Sequence, residues 1–313
     1  MATRRNAQQR AHTSQRWRGA AVIAFAFASV AHAAEGDPTA APAAGAGGHW
    51  QLEGSITHDT NLTRGRVAAE KRSDQAYAAQ LRRDGAFLLS PTTRLTLAGT
   101  VGGETFARHH KLGRAFGEGQ VGIEYRASGE FSAPTFGLFA RASAQEYRSV
   151  LRSGYRYATG ASASAALTDR INAFGSIAYE GSHARSAVFS GHGGAARLNL
   201  DYALSENGTL YVNGEYRRGD TTATGLGSLE NIDIAKVFVT DDAFASDGFL
   251  SYRFQARTLV GALGYNHGFG PNASLDVSWR HARATPTLAL PFTSSVPNRY
   301  TANQLAVSVL WRF

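Results

Sequence analysis

Trp50-Gln51-Leu52-Glu53-Gly54-Ser55-Ile56-Thr57 splits into two phases: Trp50, Leu52, Gly54 and Ile56 are apolar or small, and Gln51, Glu53, Ser55 and Thr57 are polar. In an extended chain successive side chains point to opposite faces, so a period of two means one dry face and one wet face. The same split recurs in Leu95, Leu97, Gly99 and Val101 against Thr96, Thr100 and Glu104, and in Ile171, Gly175, Ile177 and Tyr179 against Asn172, Ser176 and Glu180. Leu198 and Leu200 oppose Arg197, Asn199 and Asp201; Leu210, Val212 and Tyr216 oppose Asn213, Glu215 and Arg217; Leu275, Val277 and Trp279 oppose Asp276, Ser278 and Arg280.

The runs predict about twelve strands, beginning near His49, Ala76, Arg94, Ala115, Thr135, Tyr155, Arg170, Gly193, Thr209, Tyr252, Ala273 and Thr301, an even number as in bacterial single-chain barrels. Tight turns are expected at Ser90-Pro91-Thr92-Thr93, Thr168-Asp169-Arg170, Ser205-Glu206-Asn207-Gly208 and Gly270-Pro271-Asn272. Longer polar links between them are expected to face outward, near 63–75, 109–114, 148–154, 183–190, 218–251 and 285–299. The fifth, with Glu230, Asp233, Asp241, Asp242 and Asp247, reads as an acidic lid or constriction.

A soluble sandwich also alternates, but it needs larger core residues than the Ala and Gly that fill much of the dry phase. It also gives no reason for Trp50, Tyr77, Tyr125, Tyr155, Tyr179, Tyr202, Tyr216, Trp279 and Trp311 to cluster near strand ends, where interfacial aromatics sit in membranes. No stretch is apolar enough for a spanning helix, so a membrane location requires a closed barrel, which pairs every backbone group in lipid. The expected fold is all-β, a transmembrane antiparallel up-and-down barrel over residues 49–313.

Composition agrees. The 313 residues include 34 Gly, 8 Pro and no Cys, and 18% are charged, which excludes disulfide scaffolds, Cys-ligated metals and a Cys lipid anchor. Arg4, Arg5, Arg10, Arg16 and Arg18, an apolar run from Gly19 to Val30 and Ala31-His32-Ala33 read as a secretory signal covering residues 1–33. The apolar run falls short of the roughly 20 residues of a membrane helix. These five arginines account for five of the eight net positive charges, leaving +3, with no basic run suited to nucleic acid. Residues 34–48, rich in Ala, Gly and Pro, read as a flexible periplasmic lead.

The last strand, Leu305-Ala306-Val307-Ser308-Val309-Leu310-Trp311-Arg312-Phe313, places Leu305, Val307, Val309, Trp311 and Phe313 on one face. It resembles the C-terminal insertion signal of Gram-negative outer-membrane proteins. The resemblance implies export through the inner membrane, recognition of Val309, Trp311 and Phe313 by the barrel-assembly machinery, and surroundings of outer-membrane lipid and lipopolysaccharide.

Enzymatic constellations are weak. Outer-membrane phospholipases use a His and a Ser two positions apart; after residue 33 no His is followed by such a Ser. Ser182 with His192 is the remaining nucleophile and base pair, with an acid to come from a distant strand, and His58 with His109-His110 the remaining metal pair, which no spaced carboxylate completes. Gly191-His192-Gly193-Gly194-Ala195-Ala196 has dinucleotide-loop spacing, but a strand pattern follows where a helix is required. Arg218-Gly219-Asp220, an adhesion-type tripeptide, reads as the start of the longest loop. No catalytic residue, cofactor or metal is expected.

The wet phase carries the functional reading. Its expected lumen set is Glu53, Glu104, Glu124, Glu180, Asp201, Glu215 and Asp276 with Arg82, Arg126, Arg141, Arg156, Arg197, Arg217 and Arg280; Asp59, Asp84, Glu118, Arg253, Arg257 and Arg312 read the same way. Opposed arginine and carboxylate ladders suit a narrow passive channel for small polar solutes. The same residues could instead close the lumen by pairing, giving a scaffold or accessory of an export system; an outer-membrane hydrolase is the third reading. His58-Asp59-Thr60-Asn61-Leu62 loosely resembles the opening of the barrels of surface-lipoprotein assembly modifiers and exopolysaccharide exporters, which carry helical repeats before the barrel.

Overall fold

The structure is a computed structural model and describes residues 48–288 and 298–313. The signal segment, nearly all of the lead and the middle of the last outer link lie outside the described residues.

One antiparallel sheet contains β1 (His49–Asp59), β2 (Asp74–Ser90), β3 (Thr93–Phe106), β4 (Arg114–Arg126), β5 (Thr135–Tyr147), β6 (Gly154–Ala166), β7 (Ile171–Ala184), β8 (Gly191–Ala203), β9 (Gly208–Gly225), β10 (Val237–Thr240), β11 (Leu250–Phe269), β12 (Ala273–Pro286) and β13 (Tyr300–Arg312). Twelve of these close a barrel. β1 to β9 pair in order, β9 pairs with β11, β12 and β13 follow, and β13 returns to β1 with Gly54 opposite Val309 and Ser55 opposite Ser308. The seam is finished by Trp50 and Phe313, whose N–H groups each donate to the other's carbonyl at 3.0 Å. Each of the twelve barrel strands is paired on both sides, which is what hydrocarbon requires of a sheet. The short β10 takes the edge of β11 beyond the point where β12 ends.

The predicted strand starts lie within two residues of those observed, because the alternation begins where the chain becomes extended. One side of the wall is apolar and exposed, including Leu52, Ile56, Leu138, Ile177, Leu198 and Val309. Trp50, Tyr125, Tyr202 and Trp311 ring it near the ends joined by short turns; Tyr77, Tyr155, Tyr179, Tyr216 and Trp279 ring it toward the other end. These are the two aromatic girdles of a lipid-facing band.

The connections alternate short and long as expected, with one addition. Residues 127–134 link β4 to β5 on the short-turn side and are longer than the other links there. The fifth outer link is shorter than the sequence suggested, because β9 runs to Gly225 and β11 starts at Leu250. Strands of 18 and 20 residues exceed the 9–11 that span lipid, so both rise above the girdle. Arg218-Gly219-Asp220 therefore lies within β9, and Asp220 accepts a hydrogen bond from Lys236 Nζ at 2.7 Å.

Above the girdle the inside–outside code inverts. Tyr252, Phe254 and Ala256 point inward and are buried, whereas Arg257 is exposed on the opposite phase, and Arg253 on that phase donates to the Ser190 carbonyl. Arg257 is thus corrected from the lumen to the outer surface, and Arg253, on the same phase, is partly buried against the Ser190 carbonyl at the cavity wall. The physical reason is that water, not lipid, surrounds this part of the wall.

Candidate functional site

Small apolar clusters in the interior hold an outer cap. Leu62 from the link between β1 and β2 packs with Ala76, Phe106, Leu112, Phe244 and Phe249; Ile234 packs with Ala223, Tyr252, Phe254, Ala256, Ala284 and Tyr300. The first outer link, residues 60–73, folds into the mouth: Asn61, Leu62, Thr63, Arg64, Arg66 and Glu70 are all buried. Asn61 organises it, donating from Nδ2 to the Gly65 and Thr301 carbonyls at 2.8 Å and accepting at Oδ1 from Thr63 and from the Gly65 N–H. Arg64 has a left-handed backbone (φ 55°) and is fixed by a two-pronged pair to Asp59 at 2.9 and 2.7 Å.

The fifth outer link contributes its acids to this cap. Glu230 pairs with Arg66, Asp247 with Arg72 at 3.0 Å, Asp241 with Arg152, and Asp242 lies 3.6 Å from Lys111. Glu70 accepts from the Leu226 N–H and from Asn231 Nδ2. A Cβ at Gly225 would meet the Glu70 carboxylate at 2.7 Å, so a larger residue there would have to shift Glu70 from its bonds to Leu226 and Asn231. The lid read from the fifth link is thus real but secondary; the first link fills the mouth, and the fifth ties it down.

Below the cap the lumen carries the predicted charges. Thirteen of the fourteen expected lumen residues face inward along their strands, and Arg126 does not enter the lumen. It ends β4 at the short-turn rim, exposed, and donates to the Glu130 carbonyl, because the strand stops there and its side chain meets bulk water. Glu104 pairs with Arg114 at 3.2 Å, and Arg114 also donates to Gln145. Arg141 and Glu118 are 4.0 Å apart. Arg197 bridges Glu180 and Glu215, Arg217 pairs with Glu215, and Arg280 lies 3.6 Å from Glu215.

Nearer the short turns, Arg82 pairs with Asp84 at 2.6 Å and Arg94 with Glu124 at 2.5 Å. Three further carboxylates are held by neutral donors: Glu53 by Gln80 at 2.7 Å, Asp201 by Asn199 at 2.9 Å and Asp276 by Tyr211 at 2.9 Å. Tyr211 lies flat across Gly264, where a Cβ would meet its ring at 2.2 Å. The ring narrows the lumen at the level of Asp276.

A cavity of about 120 Å³ lies under the cap, its wall including Arg64, Arg152, Arg156, Glu180, Arg217 and Arg280. Arg114, Arg94, Arg64 and Arg152 were not in the predicted set. Arg94 and Arg114 share the wet phase of their strands and were legible in principle; Arg64 and Arg152 sit in links, where no periodicity shows which way a side chain turns.

The enzymatic candidates come apart. Ser182 donates to the Phe189 and Gly191 carbonyls on the inner phase, while His192 is exposed on the outer phase. His58 is exposed on the outer wall, and His109 is bonded to Asp74 at 2.8 Å. Among the described residues there is no group of three or more potential metal ligands. Gly191 opens strand β8, so the glycine run there forms wall.

Solved structures similar to this chain include outer-membrane channels. An outer-membrane channel of the COG4313 type from Pseudomonas putida F1 matches over 89% of this chain and 100% of its own, at 12% identity and TM-score 0.55. This is the outer-membrane β-barrel fold. The KdgM porin in complex with disordered oligogalacturonate matches over 84% and 99% at 11% identity and TM-score 0.44. The translocator domain of the autotransporter NalP from Neisseria meningitidis matches over 86% and 89% at 13% identity and TM-score 0.41. No protein-family model matches the sequence, and no curated protein matches it.

Proposed function

We propose that this barrel is a narrow passive channel for small polar solutes in the outer membrane of a Gram-negative cell, with the short turns in the periplasm. The observation that carries the reading is the charged chamber enclosed by a lipid-compatible wall. Side chains that present unpaired polarity to an interior can replace part of a solute's hydration, which a purely structural core has no reason to do. Ser182 and His192, the nucleophile and base pair offered by the sequence, point to opposite faces of the wall and do not meet.

A second reading is favoured by one observation: the first outer link fills the mouth and is tied by Arg66–Glu230 and Arg72–Asp247. A permanently filled mouth suits a scaffold or accessory of an export system. Single-channel recording in planar bilayers separates the two. The channel reading expects discrete conductance steps, larger when residues 61–72 are replaced by a short Gly/Ser link. A barrel that is folded but silent in both forms supports the accessory reading and rejects the channel.

Val309, Trp311 and Phe313 all face outward and are exposed beside the seam with β1. This placement supports their role as the surface read by the barrel-assembly machinery. Phe313→Asp should then leave periplasmic aggregates in place of heat-modifiable membrane protein.

A further inference from the structure

Arg156 breaks the pairing rule of the lumen. It points inward from β6 and lines the chamber under the cap, yet it makes no ion pair or hydrogen bond with any described residue, and its Nη1 is buried without a partner. Arg217 lines the same chamber; its Nε is committed to Glu215, but its Nη2 is also buried and unpartnered. Taking guanidinium donors out of water with no acceptor is costly, and such orphans call for an explanation. The surroundings add a reason. The two glutamates here, Glu180 and Glu215, make their contacts with Arg197, Arg217 and Arg280, so Arg156 shares the field of Glu180 without a carboxylate in contact.

Part of the wall leaves room for an acceptor: Gly193, Gly219, Ala256, Ala282 and Ala302 add almost no side-chain bulk between aromatic residues such as Phe189, Phe254 and Tyr300. Arginine's planar fork suits an oxyanion, which can accept two parallel bonds.

We propose that this chamber binds the oxyanion group of a small solute, a carboxylate or a phosphate, through Arg156 and the free Nη2 of Arg217. This deepens the channel reading: the site is the selective step on the path. The binding geometry nevertheless exists whether or not the lumen conducts.

The test uses the full mature barrel folded in detergent, with equilibrium dialysis of labelled succinate and of labelled inorganic phosphate, and butane-1,4-diol as the neutral comparison. Saturable uptake of at least one of the two anions, and none of the diol, is expected; which anion binds identifies the headgroup class. Arg156→Gln should weaken that binding about tenfold or more, the loss of one charge-assisted contact. The same variant should raise the thermal midpoint of the unliganded barrel, because an unpaired buried charge is removed, whereas a merely structural arginine would lower it. Arg156→Lys should retain part of the affinity, and Arg185→Gln, on an outer link, all of it. Absence of saturable binding by both anions, unchanged affinity in Arg156→Gln, or a lowered midpoint in that variant overturns the proposal. Bilayer recording of the same preparations keeps the two readings apart: binding without conductance rejects the channel and leaves the site, and conductance without binding does the reverse.

Discussion

The outer and periplasmic halves of the lumen use the same residue types in opposite balance. Toward the mouth, Arg156, Arg197, Arg217 and Arg280 face two glutamates, and both glutamates are satisfied by arginine. Toward the periplasm, Glu53, Asp201 and Asp276 have no ion pair among the described residues and are held by an amide, an amide and a phenol. Charge that looks balanced in the sequence is therefore separated along the axis. The difference teaches that net composition of a lumen is a poor guide to its field: the positive excess lies under the cap and the negative excess near the periplasmic exit.

The largest expected effect comes from removing a carboxylate on which several arginines depend. Glu215→Gln removes the carboxylate that Arg217 pairs with and that Arg197 and Arg280 share, with the Glu215 side chain only 5% exposed. Breaking a buried pair by deleting one partner costs about 3–5 kcal/mol, so the urea midpoint of the folded barrel should fall sharply. Asp276→Asn should not match it. Asp276 Oδ2 is buried without a partner and Tyr211 can still donate to the amide oxygen, so this change removes an unpaired charge and should leave stability equal or higher. Similar losses in the two variants would mean that the halves are not electrostatically distinct.

Much of this architecture is legible in the sequence, and the boundary of legibility is physical. Period-two alternation places Leu198 in lipid and Arg197 and Asn199 in the lumen, because a wall between hydrocarbon and a polar interior forces the code. The code fails at Arg257, where the wall stands in water and the apolar side turns inward. It is silent for Arg64 and Arg152, whose links have no period. It also cannot say which arginine pairs with which acid: Arg156 and Arg197 read alike along the chain, and only the register between strands leaves one satisfied and the other unpaired.

An intermediate effect is expected on conduction, if the lumen conducts. Charges of opposite sign concentrated at the two ends of a narrow polar path should give asymmetric current at opposite voltages, with strong dependence on salt because screening at 1 M extends only about 3 Å. Arg197→Gln with Arg217→Gln should shift the reversal potential in a salt gradient toward cation preference. Glu53→Gln with Asp201→Asn should shift it toward anions, and either pair should reduce the asymmetry. Shifts of the same sign from both pairs would contradict the axial separation.

The smallest effect should come from the cap. Arg72 pairs with Asp247 at 3.0 Å and lies over the Phe249 ring at 4.6 Å, but the two charged side chains are 31% and 23% exposed. Partly solvated pairs of this kind contribute about 0–1 kcal/mol, and Phe249 keeps its packing with Leu62 and Phe244 when the charge is removed. Arg72→Gln should therefore leave the urea midpoint almost unchanged, and the charge separation deeper in the lumen with it. Its measurable signature should be faster hydrogen exchange at the Leu62 N–H, which donates to the Arg72 carbonyl at 2.6 Å and reports on how firmly the inserted link is held. A loss well above 1 kcal/mol would show that the cap and the barrel unfold as one unit, and the outer half could then no longer be treated as a charge cluster set by its own strands.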